Sequence, residues 1–273
     1  MDEYLFLLNI IKEAGHKIRQ DINKPLNINA KSNPNDLVTN MDKSTELFLT
    51  ENILRQYPDH KIIGEEGQGK YLSSLDGTVW IIDPIDGTLN FIHQKSNFAI
   101  SIGIFKDGHP YAGAIYDVMN NNLYHVKVGE EAYINETMIP PLNDTQLSES
   151  IISCNPNWLV KPVIKEIYQD IILDSRSARS YGSAALDFMY VALGKTDAYL
   201  TLRLHPWDYA AGLMIVEAVG GIVTNQLNES LNPLYANSIL VANKALHHEI
   251  ITKYLNKHQD TLQKIHTERF SKG

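Results

Sequence analysis

The sequence predicts an antiparallel α+β half over residues 1–140 and a mixed α/β half over residues 141–273, tightly packed as one unit. Three observations carry this prediction. Two stretches near the start, Tyr4 to Ile22 and Lys43 to Tyr57, repeat apolar residues at helical spacing. From Phe98 to Ile134 the chain becomes rich in strand-forming residues, broken by turn residues at Lys106-Asp107-Gly108 and Met119-Asn120-Asn121. Beyond Ile139 to Ser148, a linker containing Pro140-Pro141, short apolar strands alternate with helical segments.

In chain order, Thr39 or Asn40 is available to cap the second helix. A short strand, Lys61 to Ile63, leads into Gly64-Glu65-Glu66-Gly67, and a second, Val79 to Ile82, stops at Asp83-Pro84. Ala99 to Phe105, Ala112 to Tyr116 and Leu123 to Val128 read as the strands of a meander. In the second half, Ile151 to Ser153, Ala198 to Leu202, Ile222 to Thr224 and Ile239 to Ala242 read as strands. Helices are expected over Lys161 to Ile172, Ala184 to Leu193, Tyr209 to Val219 and Ala245 to Asn256.

Composition narrows the function. The 273 residues carry a net charge of −8, which argues against nucleic acid as a partner, because phosphate backbones call for clustered Lys and Arg. An acidic chain still handles an anionic substrate where metal ions invert the local charge. The apolar run Tyr4 to Ile11 is too short to span a bilayer, so no membrane partner is expected. Cys154 is the single cysteine, which leaves no disulfide framework and fits a reducing cytoplasm.

The segment with the most chemistry is Trp80-Ile81-Ile82-Asp83-Pro84-Ile85-Asp86-Gly87-Thr88. A buried strand delivers two carboxylates three positions apart, Pro84 restrains the backbone between them and Gly87 permits a tight turn. Thr88 stands where a helix can start, so its hydroxyl and nearby amides face the same point. Oxygen ligands suit a hard cation such as magnesium, and helix-start amides suit phosphate oxygens. Either turn alone reads as structural; together, behind an apolar strand, they read as a site. Glu65 and Glu66 are adjacent, so on an extended chain only one reaches a shared metal. Gly64 to Lys70 matches G-x-x-x-x-G-K, but Tyr71 replaces the required Ser or Thr and two carboxylates would repel phosphate, so a P-loop is rejected. Asp208, in His205-Pro206-Trp207-Asp208-Tyr209-Ala210-Ala211-Gly212, is either a helix cap or a ligand, and the small residues after it allow close helix packing. His205 reads as structural, and His247-His248 as a solvated helix pair. No G-x-S-x-G elbow or H-E-x-x-H motif is present.

Asp83-Pro84-Ile85-Asp86-Gly87-Thr88, Gly64-Glu65-Glu66 and Trp207-Asp208-Tyr209-Ala210-Ala211-Gly212 resemble, in order and spacing, the three signatures of the inositol monophosphatase family. The resemblance runs from Lys31-Ser32 to Gly220-Gly221. It implies a layered αβαβα sandwich of the inositol monophosphatase and fructose-1,6-bisphosphatase type, binding two or three Mg2+ ions. Glu65, Asp83 and the Ile85 carbonyl would hold the first; Asp83, Asp86 and Asp208 the second; a third, weaker ion would sit near Glu65, supported by Glu66. Thr88, oriented by Asp42, would take a proton from the attacking water, although Asp42 reads equally as a helix cap. Asp86, Gly87 and Thr88 would also contact the substrate, as would Gly182, Ser183 and Ala184, with Arg179 preceding them. Thr201 stands where many family members carry a glutamate, and Arg203 follows two residues on.

The resemblance therefore implies a magnesium-dependent phosphomonoesterase acting on a small phosphate ester, by default inositol monophosphate, with lithium sensitivity and a homodimeric state. Thr201 and Arg203 leave open a broader phosphatase acting on NADP(H), fructose 1,6-bisphosphate or phosphoadenosine phosphate. A non-catalytic metal- and phosphate-binding regulator is the alternative of another class. It requires a replaced ligand or a replaced Thr88, and none is replaced.

Overall fold

A helix, α1 (Glu3–Asp21), begins where the Asp2 side chain accepts the Tyr4 N–H at 2.7 Å. It buries Leu7, Ile10, Ile11, Ala14 and Ile18 on one face. The chain is a computed structural model that describes residues 2–31, 37–67 and 72–270. Two short antiparallel strands, β1 (Ile28–Ala30) and β2 (Leu37–Thr39), precede α2 (Asn40–Gln56). Thr39 is its N-cap, and Asp42 at the third helical position completes a capping box.

These helices cover one face of a seven-stranded sheet of consecutive strands: β3 (Lys61–Gly64), β4 (Thr78–Asp86), β5 (Ala99–Lys106), β6 (His109–Asp117), β7 (Asn122–Lys127), β8 (Tyr133–Ile134) and β9 (Thr137–Met138). A short helix, α3 (Thr88–Gln94), connects β4 to β5. Among the described residues of this sheet, β3 and β4 pair in parallel and β4 to β9 pair in antiparallel succession, β5, β6 and β7 being the expected meander. Trp80, Ile82, Ile102, Ile104, Ala112 and Ala114 join the α1 and α2 residues in one core cluster. Gly103 and Gly113, paired across β5 and β6, lie on the opposite face because strand side chains alternate.

The chain clusters into two compact units. The first contains residues 1–138 together with Gly182–Leu186 and Trp207–Ile215, so two segments of the second half of the sequence belong to it. The second unit contains a five-stranded mixed sheet drawn from β10 (Ile151–Cys154), β11 (Ser177–Arg179), β12 (Ala198–Leu204), β13 (Ile222–Thr224) and β14 (Asn237–Ala242), in the order β11-β10-β12-β14-β13. Its core joins Ile152, Leu200, Leu202 and Leu240 with residues of α4 (Pro162–Asp174), α7 (Lys244–Lys253) and α8 (Gln259–Phe270). Helices α5 (Ala184–Ala192) and α6 (Pro206–Ala218) start within segments of the first unit or immediately beside them. The α8 helix lies beyond the last element expected from sequence, and β4 runs four residues past its expected end at Ile82.

Candidate active site

That extension of β4 arranges the first two carboxylates. In a regular strand, residues three apart point to opposite faces. Here Asp83 pairs with Ser101 and Asp86 with Ala99, so three steps on β4 oppose two on β5. The extra residue is a bulge, which accommodates Pro84 inside a strand and turns Asp86 to the same face as Asp83. That face is the one carrying Gly103. The Asp83 carboxylate also accepts the Ile85 N–H at 3.0 Å, closing the bulge on itself.

Asp208 reaches this face on the first turn of α6. A Cβ on Gly103 would lie 3.0 Å from Ala210 Cβ, and one on Gly113 only 2.9 Å from the Ala211 carbonyl oxygen. Small residues on both surfaces thus let helix and sheet backbones touch, and Ser101 Oγ donates to the Trp207 carbonyl at 3.2 Å. Asp83, Asp86 and Asp208 consequently offer ligand atoms all within 4.8 Å of one another. Asp86 is held from its other side: its Oδ2 accepts the Ser183 hydroxyl and the Ala185 N–H, the latter at 2.7 Å. The start of α5 thus fixes one oxygen of Asp86 and leaves the other to the cluster.

Gly87, in the left-handed region at φ 93°, turns the chain from β4 into α3. Thr88 Oγ1 lies 3.1 Å from Asp42 Oδ1 and 3.1 Å from the Ile85 carbonyl, an acceptor in each direction. Asp42 is fully buried. Its second oxygen accepts the Thr39 N–H at 2.8 Å and the Thr39 hydroxyl at 2.5 Å, which points Oδ1 at Thr88. Asp42 thus both completes the capping box and pairs with Thr88.

The Glu65 N–H donates to the Ile82 carbonyl at 3.2 Å, tying the loop after β3 to β4 beside Asp83. The backbone bends there rather than staying extended, and Lys31 Nζ reaches both acids: Glu65 Oε1 at 2.9 Å, and Glu66 Oε1. At this bend the two adjacent carboxylates therefore meet one ammonium. Lys31 is a site-facing cation that sequence reasoning did not single out, since no local pattern links it to acids 34 and 35 positions away.

Burial and crowding set the electrostatics. Burial pushes Asp83 well above the usual carboxylate range, and the charges of Glu65, Asp86 and Asp208 push it further. Burial raises Glu65 to about 7 against the pull of Lys31. It raises Asp86 to about 6 against its hydrogen bonds to Ser183 and the α5 amides. Asp42 is likewise raised by burial, opposed by Thr39. Burial works against the Lys31 ammonium, but Glu65 and Glu66 outweigh it and hold its pKa above the ordinary lysine value. Mutually repelling, buried or half-buried, all-oxygen donors fit a hard divalent cation, which supplies the positive charge they lack.

The other expected contacts divide. Gly182, at φ 80°, lies against Gly87 and Asn90, and the Ala184 backbone reaches Asp86, but the Ser183 hydroxyl is taken up by Asp86 and by the Leu186 N–H at 3.3 Å. Arg179, Thr201 and Arg203 belong to the second unit. Arg179 folds onto its own strand, donating to Ser177 Oγ at 2.6 Å and to the Ala178 carbonyl at 2.8 Å. Thr201 is buried, and its carbonyl accepts from Gln226 at 2.9 Å. Arg203 is exposed, with Nη2 3.4 Å from His205 Nε2. His247, expected to be solvated, is instead buried with Nε2 2.8 Å from Thr224 Oγ1. Burial, helped by Asp187, raises the Cys154 thiol to about 11, in keeping with its lack of a catalytic setting. Ser32, and Lys70 and Tyr71 of the rejected P-loop match, lie outside the described residues.

Comparison with known proteins places this geometry. Residues 2–260 match the model of the inositol monophosphatase family. Inositol-1-monophosphatase of Bacillus subtilis is 48% identical over 248 residues, covering 90% of this chain and 94% of that protein. Inositol monophosphatase II of Staphylococcus aureus has been solved with 2′-AMP bound, and it superposes with a TM-score of 0.93 at 52% identity over 98% of this chain and 100% of that one. Its complex with inositol monophosphate gives 0.91 at 50% identity, over 98% and 99%. An IMPase/NADP phosphatase complexed with Mg2+ and phosphate gives 0.84 at 28% identity, over 90% and 92%. At these scores the chain shares their mixed αβ fold.

Proposed function

This chain belongs to the inositol monophosphatase family of phosphatases, and from that premise we propose that it is a magnesium-dependent phosphomonoesterase whose default substrate is inositol monophosphate. The observation that carries the reading is the convergence of Asp83, Asp86 and Asp208 within 4.8 Å, beside a Thr88 hydroxyl already paired with a buried Asp42. Asp83, Asp86 and Asp208 would hold one Mg2+; Glu65, Asp83 and the Ile85 carbonyl would hold another. Glu66 would support a third near Glu65. When bound, magnesium supplies positive charge to the phosphoryl oxygens and acidifies nearby water.

The side chains then have defined tasks. As water attacks phosphorus in line, its proton passes to Thr88 Oγ1 while the Thr88 proton moves to Asp42 Oδ1. Burial raises the affinity of Asp42 for that proton, and the two Thr39 hydrogen bonds on Oδ2 keep Oδ1 aimed at Thr88. Amides around Gly87 and Thr88 bind the phosphoryl oxygens. The leaving alkoxide takes its proton from water on the Asp208 side, and no phosphoenzyme forms.

A wider substrate range is the second reading. It is favoured by the 2′-AMP complex of the 52% identical neighbour and by Thr201, which stands in place of the family's acidic residue. A ribose 2′-phosphate, as in NADP(H), is then the substrate class to add. A homodimeric state and inhibition by lithium are proposed from the family resemblance. A cytoplasmic setting is proposed from the single cysteine, which is buried as a free thiol. Phosphate release from inositol 1-phosphate, 2′-AMP, NADP and fructose 1,6-bisphosphate, with magnesium or with EDTA, tests the proposal. Release from the first with magnesium alone supports it, and release unaffected by EDTA contradicts it.

A further inference from the structure

Helix α2 carries a second buried carboxylate that the chemistry above does not use. Glu46 stands one turn after Asp42, so both side chains leave the same face of the helix, and Glu46 is only 2% exposed. Asp42 turns to Thr88. Glu46 turns to the loop after β3, where its Oε2 accepts the backbone N–H of Glu66 at 2.7 Å. Strand β3 leaves room for it: a Cβ on Gly64 would stand 2.5 Å from Glu46 Oε2, 2.6 Å from Cδ and 2.8 Å from Oε1. Gly64 does not have a positive φ, so its missing side chain serves space rather than backbone freedom. A carboxylate packed against a strand backbone is an unfavourable choice where an apolar side chain would fill the volume. Groups of this kind are retained where they hold a ligand-bearing segment in place.

We propose that Glu46 is a positioning residue for the metal site. By holding the Glu66 N–H, it fixes the bend after Gly64 that brings the Glu65 carboxylate to Asp83 and both carboxylates to Lys31. One rigid helix thereby aligns both the Asp42–Thr88 pair and the glutamate loop. The inference rests on the reading of the site as a magnesium centre.

The test titrates magnesium alone into the wild type, Glu46→Gln, Glu46→Met and Gly64→Ala by calorimetry, with thermal unfolding in EDTA to establish folding. Glu46→Gln keeps an oxygen acceptor for the Glu66 N–H and is expected to bind within about threefold of wild type, whereas Glu46→Met keeps the volume without that acceptor and is expected to bind about 10- to 100-fold more weakly. Gly64→Ala, which displaces the carboxylate from the opposite side, is expected to follow Glu46→Met and decides the matter alone if Glu46→Met does not fold. With inositol 1-phosphate at saturating magnesium, kcat falls in these two variants while KM stays within about threefold. A folded Glu46→Met or Gly64→Ala with wild-type magnesium affinity overturns the proposal, as does a Glu46→Gln that loses as much as Glu46→Met. A wild type that binds no magnesium would instead refute the metal reading of the site.

Discussion

Raising the pH of the metal-free protein should destabilise it through the carboxylates proposed to hold magnesium. Glu65 is raised from 4.5 to about 7 and Asp86 from 3.8 to about 6. For an acid whose folded pKa exceeds its unfolded one, the native state binds more protons. Stability is therefore lost as pH rises from the unfolded value through the folded value. Integrating these two groups between pH 5 and pH 8 gives a loss of about 4 kcal/mol, a large share of typical domain stability. Asp42 and Asp83, also raised, act in the same direction. His247 opposes them. Burial lowers it from 6.5 to about 4, so its share of stability is lost as pH falls, about 2 kcal/mol at pH 5. Lys31, raised above its ordinary value, contributes constantly across this window. The double variant Glu65→Gln/Asp86→Asn retains His247 and isolates the two acids. In urea unfolding with EDTA, the variant should gain about 4 kcal/mol on wild type between pH 5 and pH 8. At pH 8, magnesium should stabilise wild type and leave the variant unmoved. Parallel pH profiles for the two proteins in EDTA would refute the electrostatic account of the site.

Other perturbations follow from the same contacts. Thr88→Val and Asp42→Asn should each lower kcat about 10²- to 10⁴-fold, and because the two act as one relay, the double variant should be little worse than the worse single one; losses that add in full would break the relay. Ser183→Ala removes a hydroxyl that holds Asp86 and caps α5, and should cost about 1–3 kcal/mol in urea unfolding and weaken magnesium binding; unchanged binding would mean that Asp86 needs no support from α5. With its pKa near 11, fewer than about one Cys154 thiol in a thousand is ionised at pH 7.5, so Ellman's reagent should react slowly with folded protein and rapidly in urea. Fast reaction with the folded protein would contradict the burial.

What the sequence conveys about this site is what short-range pattern can carry. Asp83 and Asp86 are legible because an apolar strand ends in two acids beside Pro84 and Gly87. Thr39 is legible as a cap, and Ala210, Ala211 and Gly212 as a close-packing surface, which Gly103 and Gly113 receive. The bulge is not legible in advance: Pro84 reads as the end of β4, whereas the added residue lets the strand continue and turns Asp86 inward. Contacts across long sequence separations are invisible to pattern. Ser183 meets Asp86 from 97 positions away, a hydrogen bond that no local motif announces. Glu46 looks like one more acid on a polar helix, and its burial depends on the room left by Gly64 and the distant Glu66 N–H. His247 fails for a related reason: its place in a His-His pair suggests solvent, yet it finds Thr224 from 23 positions away.

Asp83, shared between the two proposed magnesium positions, should be indispensable to phosphate release. Its most direct test compares wild type with Asp83→Asn on inositol 1-phosphate at pH 8 across a magnesium titration, with unfolding in EDTA as the control for folding. Wild type is expected to release phosphate in proportion to bound magnesium, and the folded variant at least about a thousandfold less at every magnesium concentration. Release by folded Asp83→Asn within about tenfold of wild type would contradict it.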